Sequence, residues 1–165
     1  MWIHLLRHGL AEDQAPGGND DERALTDDGW KRLERAAPAW RELVEPPDRV
    51  VTSPLRRARE TAEVFVRAVR FRGELEVDDA LIPAADPQRA LALLEAAGFA
   101  GTGSITLIGH EPHLGSMLGA LLTGDWRRAM PLKKGMLVGV ETNSSTALLG
   151  QLRLALTQKA AARLT

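Results

Sequence analysis

Three short apolar runs, Trp2–Leu6 (WIHLL), Arg49–Thr52 (RVVT) and Ile105–Ile108 (ITLI), punctuate the chain, and a helical signal follows each of them. Runs of this length bounded by turn residues are buried strands, and strands alternating with helices predict a parallel sheet with helices on both faces. Thr26 is the expected N-cap of the first helix, with Asp27 and Asp28 at its positive end. That helix carries Trp30, Leu33, Ala37 and Trp40 inward, and Pro38 should kink or end it. Ser53-Pro54 matches an N-cap and first helical position, and Leu55, Ala58, Ala62, Phe65, Val66 and Val69 then fall on one helix face. Asp86 or Pro87 opens a third helix with Leu91, Leu94 and Ala97 inward and Gly98 as its stop. Pro112 starts a fourth, bearing Leu114, Met117, Leu118, Leu121 and Leu122. Ala11–Asp21 reads as a surface loop, and Leu75–Leu81 as either a strand or an extended loop. Met136–Glu141 and Thr146–Leu156 read as the last two strands, the second partly helical. The expected fold is α/β, a three-layer α/β/α sandwich with a mostly parallel central sheet, as one domain over residues 1–165.

Charge and composition narrow the function. Lys and Arg number 21 against 22 acids, a net charge of -1, so no bulk field favours nucleic acid or an anionic membrane as partner, and any anion site must be local. With no cysteine in the chain, disulfides, thiolate catalysis and zinc-cysteine sites are excluded. The opening MWIHLLRHG lacks the basic start and apolar length of a signal peptide, and no run approaches the roughly 18–20 residues of a membrane span. A soluble cytoplasmic protein is the expectation.

Ligands of open α/β sheets bind beyond the carboxyl ends of the strands. After the first run come Arg7, His8 and Gly9; after the second, Ser53 and the arginines of SPLRRARETA; after the third, Gly109 and His110 of LIGHEPHLG. One rim thus receives two histidines and at least two arginines. This set suits a phosphoryl group, because arginine forks hold the tetrahedral dianion bidentately. A neutral imidazole can attack phosphorus and carry the group. A protonated second imidazole would add charge to the equatorial oxygens in the transition state, and the helix opening at Ser53 would aim free N–H groups at the same anion. Ser53 lacks the strained G-x-S-x-G turn of a nucleophile. HEPH falls one residue short of the H-E-x-x-H zinc motif, and its proline breaks the helix that motif needs; no metal or other cofactor is expected.

LLRHGLAED resembles the RHG signature of the histidine phosphatase (phosphoglycerate mutase-like) superfamily. RALTDDGWKRL, SPLRRARETA and LIGHEPHLG are similar to that family's R-x-L-T-x-x-G, S-x-x-x-R-A-x-x-T-A and G-H-x-P segments, in order, over about residues 3 to 140. The short chain and the GHEP form most resemble the SixA-type phosphohistidine phosphatases. The resemblance implies His8 as nucleophile, with Arg7, Arg57 and His110 around the phosphoryl group and no metal. Arg57 is the family's phosphate-binding arginine by position. Arg56 and Arg59 each have a glutamate four residues on, the spacing of a surface ion pair, whereas Arg57 has Thr61. His113 and Ser53 are further candidate phosphate or substrate contacts, His113 with a capping or surface role as its alternative; His4 is read as a structural strand residue. Arg23 either supports the site's loop or pairs with local acids.

One departure bears on substrate. Where other members carry a glutamate general acid shortly after the middle strand, DDALIPAAD has Pro83. An alkoxide needs an acid to leave, whereas the imidazole of phosphohistidine is a far better leaving group. Asp79, Asp86, Glu12 or Glu111 are the carboxylates that could act from elsewhere. The expected activity is hydrolysis of phosphohistidine on a protein partner, such as a histidine phosphotransfer domain or a phosphocarrier, through a phosphoenzyme on His8. The alternatives are a broad small-molecule phosphomonoesterase using the same pocket and a non-catalytic phosphate-binding module.

Overall fold

The computed structural model describes residues 1–142 and 148–164. A six-stranded sheet is formed by β1 (Trp2–Arg7), β2 (Arg49–Thr52), β3 (Leu75–Val77), β4 (Ser104–Gly109), β5 (Leu137–Thr142) and β6 (Gly150–Leu156). Its order is β3-β2-β4-β1-β5-β6. The first four strands are mutually parallel, while β5 runs antiparallel to β1 and β6 to β5. Among the described residues five helices accompany it: α1 (Asp27–Leu43), α2 (Arg56–Ala68), α3 (Pro87–Phe99), α4 (His113–Thr123) and the short α5 (Gln158–Ala161).

Strand alternation divides the core into two layers of apolar packing. Leu6, Val50, Ile108, Leu137 and Leu156 point to the face covered by α1, α2 and Ala161 of α5. Ile3, Leu5, Val51, Ile105, Leu107 and Val138 point to the other, covered by α3 and α4. Trp40 and Phe65, fully buried with ring centroids 5.8 Å apart, join α1 to α2. Burial of such side chains contributes roughly 1.5–3 kcal/mol each, and so α1 and α2 are held by their apolar stripes rather than by their charged outer faces. Among the described residues no helix is long and apolar enough to cross a membrane.

Local signals match the observed elements with a few shifts. Thr26 caps α1, accepting from the Gly29 N–H at 2.9 Å, and Asp86 caps α3, accepting from Gln88. Pro38 does not end α1, which continues to Leu43. Gly98 lies inside α3, one residue before its end. Ser53-Pro54 forms a turn instead of the first helical residues; α2 begins at Arg56, and Ser53 Oγ accepts from the Leu55 N–H at 3.3 Å. Leu75–Leu81 divides into β3 and a 3-10 turn over Asp79–Leu81. The last strand is extended throughout Gly150–Leu156, with no helical part; its expected start at Thr146 lies outside the described residues. The loop after β1 closes with a bridge between Ala11 and Leu25 and a 3-10 turn over Asp20–Glu22.

Candidate active site

The three neighbouring strands β2, β4 and β1 end side by side, which brings together residues that are far apart in sequence. In the ladders Arg7 lies opposite Gly109, and Thr52 opposite Ile108. The ladder continues past the strand ends, with His8 N–H donating to Gly109 O at 3.0 Å and Ser53 N–H to Ile108 O at 2.9 Å. His8 and Ser53 are therefore held by backbone bonds to the sheet, and His110 directly follows Gly109, the last residue of β4. The His8 and His110 rings lie 5.0 Å apart between centroids. A pocket of about 370 Å³ is lined by Arg7, His8, Arg57 and His110, together with Asp20, Arg23, Pro83, Glu111 and Lys134.

Gly9 must be small, because a Cβ there would stand 2.8 Å from Leu33 Cδ1 of α1. Its N–H donates to Thr61 Oγ1 at 3.1 Å, and that hydroxyl donates to Arg57 O at 2.7 Å. The threonine of the SPLRRARETA segment thus ties the His8 turn to the helix turn that carries Arg57. Gly135, at φ +65°, performs a matching task from the other side, its N–H shared between Arg7 O and His8 O at 3.0 Å each.

His8 Nδ1 lies 2.7 Å from Gly9 O. A carbonyl oxygen only accepts, so Nδ1 carries the proton and Nε2 keeps its lone pair. Burial, followed by the charges of Arg57, Arg7 and Lys134, lowers the His8 pKa to about 4, outweighing the opposing bond to Gly9. His8 is neutral at physiological pH, as attack on phosphorus requires.

His110 is also neutral. The sequence favoured a protonated imidazole there, but burial first, then His8 and Arg57, hold it far below the ordinary imidazole range. Its Nε2 lies 2.8 Å from Ser53 Oγ. That oxygen accepts from the Leu55 N–H and keeps both a second lone pair and its own proton, so it bonds His110 Nε2 as donor or as acceptor and fixes the ring's orientation under either tautomer. Ser53 is therefore a fully buried orienter of His110.

Three polar atoms on the pocket-lining residues are buried without a hydrogen-bond partner: Arg7 Nε, Arg57 Nε and His110 Nδ1. The two arginine Nε atoms carry protons. Buried unpaired donors cost about 1–3 kcal/mol each, and two on the lining of one site fit an anion that would accept from them. Arg57 also donates from Nη1 to Asp20 O at 2.8 Å and from Nη2 to Asp20 Oδ2 at 3.0 Å. Arg7 Nη1 donates to Leu132 O at 2.7 Å.

Arg23 supports the loop, donating to Asp20 Oδ1 at 2.7 Å and to Glu12 O at 2.9 Å. Arg56 pairs with Glu60 on the outside of α2, as its spacing indicated. His113 is buried beside Asp86 and lies outside the pocket lining. His4 is a buried strand residue. Pro83 does line the pocket. Of the four carboxylates considered in its place, only Glu111 does so; Asp79 opens onto the adjoining recess with Asp20 and Pro83. Asp20 was missed by sequence reasoning, since its acidic loop reads as solvated and only tertiary packing lays it on Arg57.

The family model of the histidine phosphatase superfamily (branch 1) matches residues 3–83. An uncharacterised protein of Picosynechococcus sp. (strain PCC 7002) is 32% identical over 145 residues, covering 88% of this chain and 87% of its own. The phosphohistidine phosphatase SixA of Escherichia coli K12 is 29% identical over 76% of each chain. Among solved structures, the protein histidine phosphatase SixA complexed with tungstate superposes with a TM-score of 0.86 at 26% identity, over 96% of this chain and 98% of that one. Sequence and overall structure agree: this chain belongs to the histidine phosphatase superfamily.

Proposed function

We propose that the chain is a phosphohistidine phosphatase acting on a protein partner, with His8 as its nucleophile. The observation that carries this reading is the tautomer of His8, proton on Nδ1 and lone pair on Nε2, beside the unpartnered Nε–H donors of Arg7 and Arg57. In the first step Nε2 forms a bond to phosphorus as the bond from phosphorus to the substrate imidazole breaks. The leaving ring departs neutral when its other nitrogen carries a proton. The arginines hold the phosphoryl oxygens as charge redistributes, with the His110 ring as a further polar contact. In the second step water adds to phosphorus and His8 leaves, releasing inorganic phosphate.

The partner reading is supported by Pro83 at the pocket wall, where no proton can be donated, and by the two SixA relatives, which are phosphohistidine and protein histidine phosphatases by name. The small-molecule phosphomonoesterase is favoured by a different observation. Glu111 lines the same pocket, and burial raises its pKa, outweighing the Leu132 N–H bond that lowers it. A carboxyl shifted in this direction is better suited to give a proton to an alkoxide leaving group than an ordinary surface carboxylate.

The deciding experiment is turnover, with chelator present, of a phosphohistidine peptide beside 3-phosphoglycerate and a simple alkyl phosphate, with labelled phosphoryl donor used to trap the phosphoenzyme. Hydrolysis confined to the phosphohistidine, and a label carried by wild type but not by His8→Ala, are the expected results. Comparable alkyl phosphate turnover that Glu111→Gln removes would replace this reading with the phosphomonoesterase. An unlabelled wild type would remove the mechanism.

A further inference from the structure

Beside the pocket lies a second, larger groove of about 740 Å³, and its charge is unlike that of the chain as a whole. Six cations line it: Arg32 and Arg35 from α1, Lys133 and Lys134 from the turn before β5, and Lys159 and Arg163 from α5 and the residues after it. Asp28 is the one acid in the lining, and it is taken by Arg32 at 2.6 Å. Among the described residues no carboxylate forms an ion pair with Arg35, Lys133, Lys134, Lys159 or Arg163. In a chain of net charge -1, five exposed unpaired cations around one concavity are a local field that sequence totals conceal.

Lys134 lines both this groove and the candidate active site. The turn that bears it is fixed to the catalytic segment by the Gly135 N–H on Arg7 O and His8 O. A Cβ at Gly135 would overlap the Gln158 side chain at the foot of α5, so the same turn packs against the far wall of the groove. Across the pocket the sign reverses. Asp20, Asp21 and Asp79 surround Pro83 in the adjoining recess. The sheet order separates the two lips, since β5 and β6 lie on one side of β1 while β4, β2 and β3 lie on the other.

We infer that the basic groove is the docking surface for an acidic face of the phosphoprotein substrate, flanking the phosphorylated side chain that enters the His8 pocket. This rests on the protein-substrate reading above. The opposed lips then orient the partner: carboxylates over Arg35, Lys159 and Arg163, and a neutral or basic surface over Asp21 and Asp79, Asp20 being taken by Arg23 and Arg57. A partner bound in the reverse sense places like charges together on both sides.

The test uses two phosphohistidine peptides of equal length, one with four Glu or Asp residues on each side of the phosphohistidine and one with Gln and Asn in their place. The triple variant Arg35→Gln/Lys159→Gln/Arg163→Gln changes only exposed residues outside the pocket. Several surface charge pairs acting together give about a tenfold preference of the wild type for the acidic peptide in kcat/KM at low salt. The preference should lie in KM, shrink at high salt and vanish in the triple variant, with turnover of free phosphoramidate unchanged. Equal kcat/KM for the two peptides in the wild type would overturn the inference. Fluorescence anisotropy with the unphosphorylated acidic peptide reads the groove independently of catalysis. Binding by wild type and not by the triple variant supports the surface even if no phosphohistidine is hydrolysed, in which case the functional reading alone fails. Equal binding of acidic and neutral peptides, or displacement of the acidic peptide by equimolar tripolyphosphate, would also overturn it.

Discussion

His4 provides a measurable link between burial and stability, away from the candidate active site. It sits in the middle of β1, 5% exposed, stacked on Trp2 and with Nδ1 only 3.5 Å from Thr106 Oγ1. Desolvation lowers its pKa from 6.5 to about 4. The unfolded chain therefore binds a proton at this residue between about pH 6.5 and 4 while the folded chain does not, and stability must fall as pH falls through that window. At about pH 5 the unfolded state gains close to a thirtyfold advantage from this one proton, or about 2 kcal/mol of the 5–15 kcal/mol typical of a domain. The perturbation is His4→Leu, similar in volume and unable to titrate. Urea unfolding followed by tryptophan fluorescence reports on the fully buried Trp40. Between about pH 7.5 and 5 the wild type should lose about 2 kcal/mol more than the variant, with m unchanged. Contributions from His8, His110, His113 and Glu111 are common to both proteins and cancel in the difference. Identical pH dependence of the two proteins would refute the idea that His4 is held neutral by burial.

His8 titrates with the same sign for an additional reason, the positive charges of Arg57, Arg7 and Lys134. The His8 imidazole signals should stay in the neutral form down to about pH 4 by NMR, and a midpoint near the ordinary 6.5 would contradict a neutral nucleophile across the physiological range. Asp20→Asn removes a carboxylate that pairs with Arg57 Nη2 and would compete with a phosphoryl oxygen for it. Since exposed ion pairs are worth up to about 1 kcal/mol, phosphate affinity measured by calorimetry should rise by about two- to fivefold; an unchanged Kd would mean that Asp20 and phosphate do not compete. A Cβ at Gly29 would stand 2.1 Å from Leu10 O, so Gly29→Ala should cost about 2 kcal/mol or more and lower Tm by about 4–8 °C. An unaltered melting curve would show that α1 can move away from the Leu10 backbone without loss.

Order and type of the elements were legible in the sequence because they arise from local physics. RVVT and ITLI are too short and too apolar to be anything but buried strands, and Thr26 and Asp86 bond to N–H groups two or three residues away. The residues directly following those strands, His8, Ser53 and His110, had to meet if the strands lay side by side, and they do. The spacing of Arg56 and Glu60 on one helix face also separated Arg56 from Arg57 correctly.

Strand order was decided by tertiary packing, as were the antiparallel direction of β5 and the start of α2 beyond Ser53-Pro54. So was the protonation of His110, because its neutrality depends on how deeply it is buried and on which charges lie around it. Asp20 looked like any surface acid until the fold laid it on Arg57, and Glu111 stood level with three other carboxylates until the fold drew it to the Leu132 backbone and the pocket wall. The basic groove is the clearest case. Its cations come from positions 32 to 163 and cancel against acids in any count along the chain. Local periodicity reports which face of an element is buried, whereas a field or a pocket depends on which distant faces come together, and that is set only when the chain folds.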